Sequence, residues 1–324
     1  MRADRSVAVG LGVGGSKTTV AIIDRQGRVR LRSETKTLRG RPPMATLEPY
    51  VRAIEGLLAQ ARSEGWSVEG IGVSLPGTLD YTRQRPLLIP SIPALNAFPL
   101  YELLQQRYKL PVCLLEDMEA ALLGEQRFGS GQGAQRLLYL HVNAIVGAAF
   151  IVDGKIAGHE YEQRLRQYMG HICHISVSAS GPRCSCGKRG CINTMISLDA
   201  MQKMVQRAVR RGDESNLITR LVNRETLTPR LLAEEAENGD SVALQIYSEM
   251  GRWLSNAITR YVELFEPHMF ILGGDILCSS AFLLSSAKSA ANADTKARVR
   301  SLVKVVPGLL GREAALLGSV VPLF

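Results

Sequence analysis

His174, Cys184, Cys186 and Cys191 fall in one short stretch, HISVSASGPRCSCGKRGC, which offers one imidazole and three thiols. Zinc takes sulfur and nitrogen ligands in a tetrahedral array, so a Cys3His set fills all four positions and makes a structural centre. Gly181, Pro182, Gly187 and Gly190 supply the tight turns that let such close ligands converge. The alternatives are ordinary thiols or a disulfide. The opening MRADRSVAVG lacks the pattern of a secretory leader, which favours a metal over a disulfide and leads to the expectation of a cytoplasmic protein. Cys173 and His171 could pair as nucleophile and base, but no third group orients them, so packing beside the metal segment is expected. Cys113 and Cys278 lie in apolar runs and read as core thiols.

These residues need a frame. The 324 residues, 46% hydrophobic and 21% charged, suffice for two domains with their own cores. No run of eighteen apolar residues is present, so a membrane is not expected as a partner. The net charge of +9 is concentrated in part at Arg28, Arg30, Arg32, Lys36, Arg39 and Arg41. Alternation with Val29 and Leu31 assigns these to the solvent face of a strand, which argues against nucleic-acid binding. Residues 7–13 and 18–24 read as strands around GGSK, followed by a third extended run to about Thr37. A helix through Leu47, Val51, Ile54 and Leu58 precedes the strand GIGVSLPG. PVCLLED then leads into a helix near Asp117, and the first lobe ends in the glycine-rich FGSGQG.

RLLYLHVNAIVGAAFIVDGK repeats the opening arrangement in a second lobe. Helices are predicted near 197–211, 229–238 and 240–265, then the strand MFILGG, a helix near 280–292, the strand LVKVV and a closing helix from about Arg312. The expected domains are an α/β lobe over 1–125, rejoined by 311–324, and a second over 126–310 containing a zinc segment at 170–195.

MGHICHISV and GPRCSCGKRGCINTMIS resemble the zinc segment of the ROK family (repressors, open reading frames and sugar kinases), AGEIGH followed by CxCGxxGCLE. VAVGLGVGGSKTTVAIID resembles that family's first phosphate hairpin. FEPHMFILGGDIL and LGREAALLGSVV resemble its nucleotide-side strand and last helix. Order and spacing agree over nearly the whole chain. The resemblance implies the two-lobed actin-like ATPase and sugar-kinase (ribonuclease H-like) fold and a homo-oligomer, dimer or tetramer. Repressors of the family carry a helix-turn-helix domain ahead of this fold; with the first core strand at about Val7, none is expected here.

The resemblance also assigns roles. Asp117, in LLEDMEAALLGE against the family's NDANAAALGE, stands where a kinase holds the base that takes the sugar proton; an acid there also serves as a helix cap, and both readings stand. Glu116 replaces a sugar-binding asparagine. His171 and Asn193 replace the glutamates of AGEIGH and GCLE, and Ser91 replaces a further asparagine. His174 has one ring nitrogen left for a ligand if the other holds zinc. Gly14, Gly15, Ser16 and Lys17 keep the hairpin DxGGTK, but Gly12 replaces its aspartate, which helps to hold Mg²⁺. Asn143, Ala144 and Ile145 replace the GTG of the second phosphate loop. Gly273 and Gly274 match the adenine-side pair, though a plain strand-ending turn would need the same glycines. With both phosphate and sugar subsites altered, the sequence predicts a catalytically silent sugar-kinase-like protein that senses a ligand or binds a partner. The alternative is an active kinase transferring phosphate from Mg²⁺-ATP to a hexose or N-acetylhexosamine.

Overall fold

The computed structural model describes residues 5–82, 84–157, 172–292 and 303–324. The chain forms two compact units, one of residues up to Gly133 with Leu309–Phe324, the other of Ala134–Lys155 and the described residues between 172 and Gly308. The first unit carries strands β1 (Ser6–Val13), β2 (Lys17–Asp24), β3 (Val29–Lys36), β4 (Ser67–Leu75), β5 (Thr78–Asp80), β6 (Arg85–Leu88) and β7 (Val112–Glu116). Its helices are α1 (Pro43–Ser63), α2 (Leu100–Tyr108) and α3 (Asp117–Phe128). The second carries β8 (Leu137–Val142), β9 (Val146–Val152), β10 (Lys155–Ile156), β11 (Met269–Gly273) and β12 (Lys304–Pro307). Its helices are α4 (Asn193–Ile196), α5 (Leu198–Arg211), α6 (Asn216–Val222), α7 (Pro229–Glu237), α8 (Ser241–Phe265), α9 (Asp275–Cys278) and α10 (Ala281–Ala291). The chain closes on α11 (Ala314–Ser319), which returns to the first unit.

Each unit is built on one sheet, and the two share a topology: β3-β2-β1-β4-β7 and β10-β9-β8-β11-β12. In both, an antiparallel hairpin is extended by a third strand on one side and by two parallel strands on the other. The duplication expected from the two lobe openings is therefore structural.

In the first unit, α1 opens on a proline at a position where the missing N–H costs nothing. Its buried Tyr50, Ile54, Leu57 and Leu58 cover the face of the sheet carrying Val9, Leu11, Ile22 and Val73. The other face carries small residues so that α11 can come close: Leu316, Leu317 and Val320 meet Ala8, Ala21 and Ile23. A Cβ at Gly72 would stand 2.0 Å from the Ser319 carbonyl oxygen, and one at Gly318 would stand 1.6 Å from that of Ala120 in α3. Helix α11 thus packs backbone to backbone. Its approach is pinned by the fully buried Glu125, whose carboxylate accepts from the N–H groups of Leu310 (2.8 Å), Leu309 (3.1 Å) and Ser130 (2.9 Å).

In the second unit, Asp240 caps α8 by accepting from the Ala243 N–H at 2.9 Å. Val242, Ile246, Met250, Leu254, Ala257 and Tyr261 form the buried stripe expected of that helix, while Trp253 is only half-buried. Exposure alternates along β3 as predicted. Its arginines are partly neutralised, Arg30 by Asp24 (3.4 Å) and Arg32 by Glu313 (2.5 Å). Cys278, expected in a core, is exposed, because it ends the single turn of α9 on the solvent side; Cys113 is half-buried. Among the described residues no helix is long and apolar enough to cross a membrane.

Candidate functional site

Strands β1, β4 and β7 run parallel, so their carboxyl ends emerge on one edge of the first sheet. Gly12 lies opposite Ser74, and Leu75 opposite Glu116. The tip of the β1–β2 hairpin and the start of α3 therefore stand two strand spacings apart, about 10 Å. Ligands of α/β sheets collect at such an edge.

Asp117 is the first residue of α3; Glu116 holds the cap position and makes no side-chain cap bond. Although part of its surface reaches solvent, the Asp117 carboxyl lies deep among protein atoms, and burial pushes its pKa up to about 6. The N–H groups of Met118 and of Asp117 itself pull the other way, and the nearby Glu119 adds to the rise. A carboxyl poised there can accept a proton near neutral pH. Glu116, expected at the sugar, has one oxygen accepting from the Leu79 N–H at 3.0 Å, so it braces β5. Tyr81 donates its hydroxyl to Glu119 and accepts from the Glu116 N–H at 3.2 Å. Burial, then Glu119 and Glu116, hold the Tyr81 pKa well above that of an exposed phenol. Ser91, on the loop after β6, has a buried Oγ without a partner among the described residues. Tyr81 and Glu119 carry no signal in the sequence: no periodicity links the residue just after β5 to the third residue of α3.

At the hairpin tip, the Gly14 N–H donates to the Lys17 carbonyl at 3.0 Å. The Thr37 hydroxyl donates to the Gly14 carbonyl (2.8 Å), the Thr37 N–H to that of Ser16 (3.0 Å), and the Arg39 guanidinium to that of Gly15. Lys17 pairs with Glu34 at 2.7 Å. A Cβ at Gly12 would find ordinary contacts, 3.4 Å to Leu316 and 3.7 Å to the Ser74 Oγ, so a side chain has room. These residues do not fit a Mg²⁺ ion. Position 12 has no carboxylate, Glu34 is spent on Lys17, and all three turn carbonyls already accept hydrogen bonds.

In the second unit, the donor atoms of His174, Cys184, Cys186 and Cys191 all lie within 4.8 Å of one another. His174 Nδ1 is 3.2 Å from Cys184 Sγ, and Cys186 Sγ is 3.5 Å from Cys191 Sγ. Bonds of about 2.0–2.3 Å to a tetrahedral metal place such atoms roughly 3.3–3.8 Å apart, so the set fits an ion after slight contraction. Cys184 donates its N–H to the Lys188 carbonyl (2.8 Å) and accepts from the Gly187 N–H (3.0 Å). Gly187 takes the positive φ, 87°, that this knuckle requires. From α8, the Tyr261 hydroxyl fastens the segment at the Ile172 carbonyl, 3.0 Å away. His171 lies outside the described residues.

Asn193 opens α4, and its Oδ1 accepts from the Val146 N–H at 2.7 Å, fixing the turn between β8 and β9. The Asn143 carbonyl accepts from the Leu198 N–H at 2.9 Å. Ile145, at the tip of that turn, is 68% exposed. Gly273 ends β11 opposite His141 of β8, and Gly274 follows it as the cap of α9. A Cβ at Gly273 would lie 2.2 Å from the Tyr139 hydroxyl, and one at Gly274 2.2 Å from the Val142 carbonyl oxygen. The protein's own packing thus requires both glycines. Beside them Tyr139 and His141 Nδ1 are 3.2 Å apart; burial lowers the His141 pKa, with Asp275 opposing. One helical turn past Gly274, a recess of about 270 Å³ is lined in part by Tyr247, Ser279, Ser280 and Phe282.

Residues 8–321 match the family described as ROK family. The chain is 24% identical over 314 residues to a glucokinase of Thermotoga maritima, covering 96% of this chain and 95% of that protein. It is 26% identical over 310 residues to the N-acetylglucosamine repressor of Escherichia coli O6:H1, covering 95% of this chain and 73% of the repressor. Among solved structures, it superposes with a TM-score of 0.75 and 26% identity on a ROK family glucokinase from Streptomyces griseus in complex with glucose and AMPPNP, with 97% of each chain covered.

Proposed function

The chain belongs to the ROK family, and from that footing we propose that it is an ATP-dependent sugar kinase acting on a hexose or N-acetylhexosamine. The observation that carries this reading is Asp117, set at the carboxyl edge beside the first hairpin with its pKa raised to about 6 by burial. In the proposed reaction the Asp117 carboxylate accepts the proton of a sugar hydroxyl as that oxygen bonds to the terminal phosphorus and the bond to the ADP oxygen breaks. Little covalent chemistry is asked of the protein in such a transfer; it positions groups and meets charge. Ser91, with its unpartnered hydroxyl, is the proposed sugar contact from the loop after β6. Zinc is the metal proposed for His174, Cys184, Cys186 and Cys191, where it would close the segment around Ile172 to Asn193 as a structural centre.

The catalytically silent reading draws on Gly12 and on the exposed Ile145. It leaves unexplained why a carboxyl is kept at a position that raises its pKa. Calorimetric titration separates the two. Hexoses and N-acetylhexosamines are titrated into the protein with and without an ATP analogue, and the kinase reading expects one sugar to bind more tightly when the analogue is present. Binding of a sugar with no effect of the analogue supports the silent sensor.

A further inference from the structure

The hairpin that cannot seat a divalent metal holds a cation of its own. We propose that Arg39 is the phosphate ligand at the β1–β2 hairpin, and that a triphosphate binds there without a divalent metal. The proposal rests on the nucleotide reading above for the class of anion, the phosphate chain of a nucleoside triphosphate.

Arg39 lies just past the end of β3, on the segment that returns over the hairpin tip. Its guanidinium donates to the Gly15 carbonyl and meets no carboxylate among the described residues. A guanidinium has five N–H donors, so four remain for another acceptor. Lys17, by contrast, is engaged with Glu34 at 2.7 Å. Thr37 and Arg39 together occupy the carbonyl oxygens of Gly14, Gly15 and Ser16, which removes the acceptors that would repel an anion. The N–H groups of Gly15 and Ser16 bond to nothing among the described residues. Successive backbone N–H groups in a turn can bind an anion, here beside a guanidinium that touches the same turn, and charge-assisted bonds of guanidinium to phosphate are among the stronger ones.

The balance of charge points the same way. A carboxylate at position 12 with a divalent cation would carry one net positive charge; Gly12 with Arg39 carries the same. Because a side chain at 12 would meet only ordinary contacts, steric crowding is not the reason for the glycine. Gly12 leaves that position uncharged, and Arg39 supplies a cation at the hairpin that meets no carboxylate among the described residues.

The test is calorimetric titration of ATP, and separately of inorganic tripolyphosphate, into wild type, Arg39→Gln and Gly12→Asp, each with Mg²⁺ and with EDTA. Wild type should bind both probes with less than about a threefold difference between the two conditions. Arg39→Gln, at an exposed position and checked for unchanged melting, should weaken binding at least about tenfold in EDTA, the size of one lost charged hydrogen bond. Gly12→Asp should weaken binding in EDTA and recover it with Mg²⁺. Wild-type binding that needs Mg²⁺, or that is unchanged in Arg39→Gln, overturns the proposal and leaves the kinase reading standing. No binding of either probe under any condition overturns the nucleotide reading and this proposal with it.

Discussion

Replacing Asp117 by asparagine separates a catalytic base from a helix cap, because the two roles predict opposite changes in stability. Burial lifts this carboxyl from 3.8 to about 6 in the folded protein. Between those values the folded state binds more protons than the unfolded chain, so stability falls as pH rises through that window. The penalty is absent below the unfolded value and complete above the folded one. At neutral pH it amounts to about 3 kcal/mol. An asparagine side chain at this position cannot ionise and escapes it. Asp117→Asn should therefore melt about 4 °C above wild type at pH 7, and the two should melt together below about pH 4. A cap predicts otherwise, since asparagine caps as well as aspartate and the lost charge at the helix start costs about 0.3–1 kcal/mol. Activity completes the test: the variant should lose about 10²–10⁴-fold in turnover, and wild-type kcat/KM should fall about tenfold per pH unit below 6. A variant that melts at or below wild type at pH 7 while turning over normally would refute the assignment.

Glu125→Gln keeps the size of the side chain but turns an amide NH2 toward one of the three backbone N–H groups that the buried carboxylate binds. It should cost about 3 kcal/mol, read as a lower midpoint in urea, and an unchanged midpoint would contradict the clamp described for α11. Gly318→Ala drives a methyl group to within 1.6 Å of the Ala120 carbonyl oxygen, so it should lose about 3 kcal/mol or more in the same titration. Purified protein should contain about one zinc per chain by elemental analysis, and Cys184→Ser should lower both that content and the melting temperature. A fully folded wild type without metal would exclude the structural centre.

What the sequence makes legible is local. Cys184, Cys186 and Cys191 with His174 ten residues earlier carry their chemistry in their spacing, and the structure gathers all four. The two hairpin openings announce the duplicated sheets because strand periodicity is short-range. Glu125 is opaque: beyond the nearby Ser130, its partners Leu309 and Leu310 lie 184 and 185 residues away in sequence, beyond any pattern along the chain. Arg39 groups by sequence with the solvent-facing arginines of β3, yet β3 ends at Lys36, and past that point alternation no longer says where a side chain goes. Asn193 reads as a sugar contact at the position of a family glutamate, whereas its Oδ1 is taken by the Val146 N–H. Glycine signals are ambiguous for a physical reason: Gly273 and Gly274 make room for Tyr139 and Val142, and close approach by the protein looks the same in sequence as close approach by a ligand.

Phosphoryl transfer can be followed by phosphorus NMR of the protein incubated with ATP and each of a panel of hexoses and N-acetylhexosamines. One sugar should yield a phosphate-monoester resonance in step with ADP, and Asp117→Asn should yield neither. ATP left intact with every sugar, under conditions where a control kinase goes to completion, would contradict it.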